Sequence, residues 1–228
     1  ESGAAPITKF DATNFKTQFA CEVKGWDVSE FLDRKASRKM DLFAQYAVVC
    51  SDQAIEDAGL AGEDSPVAPH RAGVIWGSGI GGFQTFMNEA LNFHRSEGIP
   101  RFSPFFIPMM ISDIAAGHIS MRHGYRGPNF CTVSACASGT NAMIDAFNYI
   151  RLGKADVMVT GGSEAAVTEG GIGGFNALKA LSTRNDEPAK ASRPFDSTRD
   201  GFVLGEGGGA IVLEEYGHAV ARGATVYC

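Results

Sequence analysis

The stretch TVSACASGTNAM (132–143) sets Cys136 between Ala135 and Ala137, just ahead of a run of small residues. A thiol where an apolar strand ends and a helix begins feels the positive end of the helix dipole, which favours thiolate over thiol. Free N–H groups in the first helical turn can also bind an oxyanion formed on an acyl group carried by the sulfur. Ala135, Ala137, Ser138 and Gly139 keep side chains clear of that sulfur. The arrangement parallels the strained G-x-S-x-G elbow with different residues. Buried free cysteines are common as inert packing, so local chemistry leaves two readings of Cys136 open, nucleophile and core thiol.

The other cysteines have weaker claims. Cys50 falls mid-helix on an apolar face and Cys131 in a strand, so both read as core; Cys21 and Cys228 have no chemical context. A cysteine nucleophile usually works with a base or a polarising histidine. His118 and His123 are five positions apart and do not share a helix face, while His70, His94 and His218 lie in polar or loop-like sequence. All five read as structural or exposed. With no H-E-x-x-H and no paired Cys/His spacing, no metal site is expected.

Gly77, Gly79 and Gly82 fit G-x-G-x-x-G after an apolar run and before a helical one. The dinucleotide fingerprint also needs a strand ending in Asp or Glu about 20 residues on. That interval holds GIPRFSPFF, a proline-broken loop. A second near-match, Gly205-Glu-Gly207-Gly-Gly-Ala210, lies in strand-like sequence with no helix after it. Both read as turns and tight packing, so no nicotinamide or flavin cofactor is expected.

The chain has 228 residues, 44% of them hydrophobic, with a formal charge of −6. That charge argues against nucleic-acid binding and leaves an acidic partner to a local basic patch. There is no run of about 18 apolar residues and no signal-peptide pattern, so no membrane association is expected. Five cysteines without a C-x-x-C pair suggest a reducing, cytoplasmic setting. The chain has 28 glycines, with short clusters such as GSGIGG, GGIGG and GEGGG, which read as tight turns and close backbone approaches. The first residue is Glu1 rather than Met, and the last apolar run, GATVYC, looks like the start of a strand. A piece cut at both ends is the expectation.

Periodicity then supplies the elements that must position the thiol. Residues 37–60 and 83–96 read as helices, 109–123 as a buried helix, and 136–154 as the helix after Cys136. Buried strands are expected at 72–78, 129–135 and 155–164. Residues 201–216 read as two strands, or as one broken at its glycines. Strands alternating with helices predict an α/β fold around a largely parallel sheet.

VSACASGTNAM, GSGIGG, SPFFIP, GYRGPN, ADVMVTGGSEAAVTEGGIGGFNALKALSTRND and SRPFDSTRDGFVLGEGGGAIVLEE occur in order over nearly the whole chain. Together they closely resemble the β-ketoacyl-[acyl-carrier-protein] synthases, above all the type II enzyme of bacterial fatty acid synthesis. The resemblance implies a thiolase-like fold of αβα layers around a parallel or mixed sheet. Residues 1–228 would be the N-terminal part, one of two similar halves, with active sites near a homodimer interface. It implies that Cys136 accepts an acyl group from acyl carrier protein and that its backbone N–H forms half of an oxyanion hole. No redox or metal cofactor is implied. Phe202 matches a phenylalanine that packs beside the cysteine, and Ile80 falls in a stretch shaping the acyl pocket. Arg34, Lys35, Arg38 and Lys39, with Lys179, match basic positions that meet the acidic carrier; the alternative for the cluster is a solvated helix N-terminus.

The family's two histidines, its lysine and its phenylalanine-bearing glycine-rich loop have no counterpart here, nor has its usual first strand. The chain alone is therefore expected not to elongate acyl groups. The competing readings are a polyketide-type ketosynthase and a non-catalytic subunit binding acyl chains or carrier protein. SACASG in place of a TACSSS-like turn favours fatty acid synthesis.

Overall fold

The computed structural model describes residues 2–62 and 65–228. Chain contacts divide these into two compact units, one formed by residues 1–27 and 165–207, the other by 28–164 and 208–228. Along the chain the elements are β1 (Ala5–Pro6), β2 (Phe19–Ala20), α1 (Arg34–Ser37), α2 (Leu42–Asp57), β3 (Ala72–Gly77), α3 (Phe83–Arg95), α4 (Phe106–Met110) and α5 (Ile114–His123). There follow β4 (Asn129–Thr132), α6 (Ser138–Arg151), β5 (Val157–Glu164), α7 (Glu169–Ala177), β6 (Gly207–Glu214) and α8 (Tyr216–Ala221).

The larger unit is a four-stranded sheet in the order β4-β3-β5-β6. β4 and β5 both run parallel to β3, pairing Trp76 with Cys131 on one side and with Gly161 on the other. All six residues of β3, AGVIWG, are buried, as expected of a strand covered on both faces. Its side chains alternate between two layers. Ile75 packs with Met158, Ala142 and Ala146 under α6. On the other face Trp76 donates its indole N–H to Ser163 Oγ at 2.9 Å. Helices α2 and α5 pack against each other and against β5 and β3. The result is the expected αβα layering.

The smaller unit pairs β1 with β2 antiparallel and packs Ala20, Ala166, Val167, Ile172, Leu181 and Leu204 around one core. Glu22 is buried here and receives hydrogen bonds from Thr8 N at 2.9 Å and Thr8 Oγ1 at 2.7 Å, beside the Lys24 ammonium. Burial alone would raise its carboxyl, but these donors outweigh it and bring it down to about 2.

Several stretches depart from the sequence expectation for a local reason. The helix expected over 37–60 starts at Leu42, because Asp41 caps it and Asp33 separately caps the single turn Arg34–Ser37. The helix expected over 109–123 is interrupted, because Met110 O accepts Gly82 N at 2.9 Å and Ile111 turns extended. GGIGG lies inside α7 rather than in a turn. Thr168 caps that helix, and a Cβ on Gly171 would lie 1.9 Å from Ala166 O, so the glycine serves close approach. Over 201–216, Phe202 bridges Leu181 and one strand, β6, follows.

The end of β3 touches the start of α6 closely. A Cβ on Gly77 would lie 2.4 Å from Gly139 N and from Ser138 C. Gly77→Ala therefore forces backbone apart, and urea unfolding should show a loss of about 1–3 kcal/mol. The low Glu22 pKa stabilises the fold above pH 4.5, and that contribution is lost as pH falls towards 2. Acid titrations followed by circular dichroism should show Glu22→Gln less stable at neutral pH and less sensitive to acid over that window.

Candidate active site

The chain runs from β3 through α3–α5 to β4 on one side of β3, then through α6 to β5 on the other side. The strand order therefore reverses at β3, and ligands in open α/β sheets bind beyond the strand C-termini at such a point. Three segments meet there: Ser78–Gly81 after β3, the turn 133–137 after β4, and Glu164 at the end of β5.

Cys136 is exposed in the turn after β4. The helix expected from 136 begins at Ser138, with Ala137 at the N-cap position, so the sulfur stands two residues before the helix proper. Ala135 immediately before it has φ 52°, a left-handed conformation rare for a residue with a Cβ. Hydrogen bonds hold the strained turn. Ser138 Oγ donates to Ala135 O at 2.6 Å and accepts Ser134 N at 2.9 Å, while Asn141 Nδ2 donates to Ser134 Oγ at 2.6 Å. The amides of Ala137 and Ser138 donate to Ser134 O and Ala135 O, both at 3.1 Å. Those two first-turn donors are committed to the turn and do not face an oxyanion. Cys136's own N–H is then the donor to consider.

Burial pushes the Cys50 thiol up to about 12 and also raises Cys131 and Cys21, which leaves those three protonated near neutrality. Cys136 and Cys228 are the exposed thiols.

Ile80 is 39% exposed at the tip of the loop after β3. The loop leans on the Cys136 turn, since a Cβ on Gly79 would lie 3.4 Å from Ala135 O. Glu164 fills the inside of the loop: Oε2 accepts Gly79 N at 2.7 Å and Ile80 N at 3.1 Å, and Oε1 accepts Ser78 Oγ at 3.3 Å. Burial raises its carboxyl despite those donors. The amides of Gly79 and Ile80, within the G-x-G-x-x-G stretch, are thus taken by the chain's own carboxyl group. Sequence reasoning missed Glu164. The available signal was a charged residue closing the apolar strand ADVMVTGGSE.

Residues 2–219 match the family described as "Beta-ketoacyl synthase, N-terminal domain". The chain belongs to the β-ketoacyl synthase family. It is 49% identical over 229 residues to 3-oxoacyl-[acyl-carrier-protein] synthase 2 of Vibrio cholerae, a match covering 100% of this chain and 54% of the relative. The crystal structure of a β-ketoacyl synthase from Burkholderia phymatum superposes with a TM-score of 0.88 at 34% identity, over 98% of this chain and 54% of that one. The ishigamide ketosynthase/chain length factor superposes at 0.86 with 28% identity, over 99% and 54%. The chain thus spans about half the length of the synthases it matches, and the thiolase-like expectation for the fold holds.

The other expected positions are divided between the two units. Arg34, Lys35, Arg38 and Lys39 line a groove of about 420 Å³ with Phe105, and Lys39 Nζ lies 5.2 Å from the centre of the Phe105 ring. In the smaller unit, Phe202 donates its N–H to Ala180 O at 3.0 Å and packs edge-on to Phe175 with ring centres 5.4 Å apart. Lys179 is exposed just after α7, with φ 56°. His123 pairs with Asp52 at 2.8 Å and His218 with Glu214 at 2.5 Å, so both rings bond carboxylates. His118 is drawn down by burial and the nearby Lys39 charge; His70 and His94 are exposed. Among the described residues no group of three His, Cys, Asp or Glu could hold a metal ion, and no helix is long and apolar enough to cross a membrane.

Iodoacetamide at mildly alkaline pH should modify Cys136 and Cys228 first. Peptide mass mapping should find Cys50 and Cys131 untouched until denaturant is added.

Proposed function

We propose that residues 1–228 form the nucleophile-bearing, N-terminal part of a 3-oxoacyl-[acyl-carrier-protein] synthase of fatty acid biosynthesis. The observation that carries this reading is the exposed Cys136 on a strained turn at the switch point of a parallel sheet. The Cys136 thiolate attacks the thioester carbonyl of an acyl carrier protein; a new C–S bond forms and the carrier thiolate leaves. Malonyl carrier protein then loses CO2. The electron pair of the broken C–C bond attacks the Cys136 thioester and expels the thiolate, which gives a 3-oxoacyl chain two carbons longer. The N–H of Cys136 donates to the oxyanion formed in each attack. No electrons are exchanged with a redox partner, and Phe202 and Ile80 are assigned to the acyl pocket.

Docking of the acidic carrier is assigned to Arg34, Lys35, Arg38 and Lys39, with Lys179 as a further basic contact. The groove these four line beside Phe105 supports that role within a chain of net charge −6. A homodimer is supported by an apolar surface on α6, where Ile144 and Phe147 are 51% and 52% exposed. It is also supported by β4 ending the sheet as an edge strand. Five free cysteines fit a cytoplasmic setting.

The likeness to the ishigamide ketosynthase/chain length factor keeps a polyketide-type condensation as the second reading. The higher identity to the Vibrio enzyme and the SACASG turn favour fatty acid synthesis. A non-catalytic binding subunit is the reading from a different class.

In the complete gene product, Cys136→Ala should abolish both acyl transfer from acyl carrier protein, seen as the mass of the acyl-enzyme, and condensation with malonyl carrier protein. Condensation surviving that substitution would sink the assignment; absence of acylation in the unaltered protein would favour the binding subunit. Reversing Arg38 and Lys39 to Glu should lower kcat/KM for carrier-bound substrate about tenfold or more at low salt, with the difference shrinking as salt is added.

A further inference from the structure

The loop that carries Ile80 has no regular structure of its own to hold it. Gly79 and Gly81 flank Ile80, and Gly81 has φ 72°, so the backbone there is permissive. Ile80 is itself partly exposed and cannot anchor the loop by packing alone. The polar anchor comes from another strand. Glu164 accepts two successive amides on one oxygen and the Ser78 hydroxyl on the other, and Ser78 Oγ in turn accepts Gly81 N at 3.1 Å. The same loop rests on Ala135 O, beside the nucleophile. One carboxylate thus ties the backbone on both sides of Ile80, in a loop that lies against the Cys136 turn.

We propose that Glu164 is a positioning residue for acyl-chain selection, holding the Ser78–Gly81 loop and therefore Ile80 at a set distance from the Cys136 turn. This rests on the reading of Cys136 as the acylated nucleophile and of Ile80 as part of the acyl pocket. Glu164 does not touch the acyl group and exchanges no proton with it. It acts through the loop, and its removal lets Ile80 move and blurs the limit on chain length. The role requires the reach and the acceptor oxygens of the side chain, not its charge. Glutamine keeps one carbonyl oxygen for the two amides and an NH2 that can donate to Ser78 Oγ. Aspartate keeps the charge but is shorter by one methylene.

The test measures kcat/KM for acyl transfer to Cys136 from a short and a long saturated acyl carrier protein, in the complete gene product. Wild type is compared with Glu164→Ala, Glu164→Asp and Glu164→Gln, with thermal melts run alongside. Alanine and aspartate should change the long-to-short ratio about tenfold, the scale on which apolar pockets discriminate chains. Glutamine should restore the wild-type ratio. An unchanged ratio in folded Ala or Asp variants overturns the proposal, and so does a Gln variant that fails with them, because charge would then be the requirement. Should Ala prove unfolded, Asp against Gln carries the same comparison. Wild-type protein that is never acylated at Cys136 overturns the proposed function instead, a result distinguishable from a folded, acylated Glu164 variant with normal selectivity.

Discussion

The arrangement around Cys136 depends on how closely α6 approaches the ends of β3 and β5. Gly77 leaves no room for a Cβ against Ser138 and Gly139, and a Cβ on Gly162 would lie 3.1 Å from Gly139 Cα. Backbone therefore meets backbone with no side chain between. That contact seats the first turn of α6 directly on the sheet. It leaves the connection from β4 very short, and Ala135 takes up the resulting strain in a left-handed conformation. The hydrogen bonds of Ser134, Ser138 and Asn141 hold that geometry, and the exposed thiol is its consequence.

The parallel sheet gives the same region its second feature. Because β4 and β5 flank β3 in parallel register, the C-terminal ends of three strands open on one rim. A thiol from the end of β4, an apolar side chain from the end of β3 and a carboxylate from the end of β5 come together there. Each of the three does something different. The thiol is exposed, the isoleucine stands partly exposed at its loop tip, and the carboxylate satisfies loop amides that would otherwise need water or a ligand. An anion built into the loop explains how a glycine pattern associated with phosphate binding can serve an unrelated purpose.

Much of the fold was legible because the signals were local. An uninterrupted apolar run such as AGVIWG, running into glycines, reads as a strand covered on both faces in an α/β chain, and the regular apolar spacing of 83–96 and 136–154 predicted helices to within a few residues. The misplaced boundaries were set by groups distant in the chain or by caps. Asp41 starts α2 four residues after the short α1 has ended at Ser37, while also accepting Thr85 N and Oγ1 from α3. Met110 gives its carbonyl to Gly82 instead of to its own helix. GGIGG looked like a turn because glycine is a poor helix former. It is helical because Thr168 caps it and because close packing against Ala166 needs a residue without a Cβ.

By itself the sequence determined the family, the alternation of strands and helices, and the cysteine at a strand-to-helix junction, since all of these rest on residue type and near-neighbour spacing. Only the tertiary structure decided which cysteines are available. Burial, which depends on packing between distant segments, raises Cys50, Cys131 and Cys21 and leaves Cys136 and Cys228 exposed. Tertiary structure alone also decided that the glycine loop is filled by Glu164, more than eighty residues further along the chain. A carboxylate and an amide so far apart in sequence meet only because two parallel strands bring their ends together.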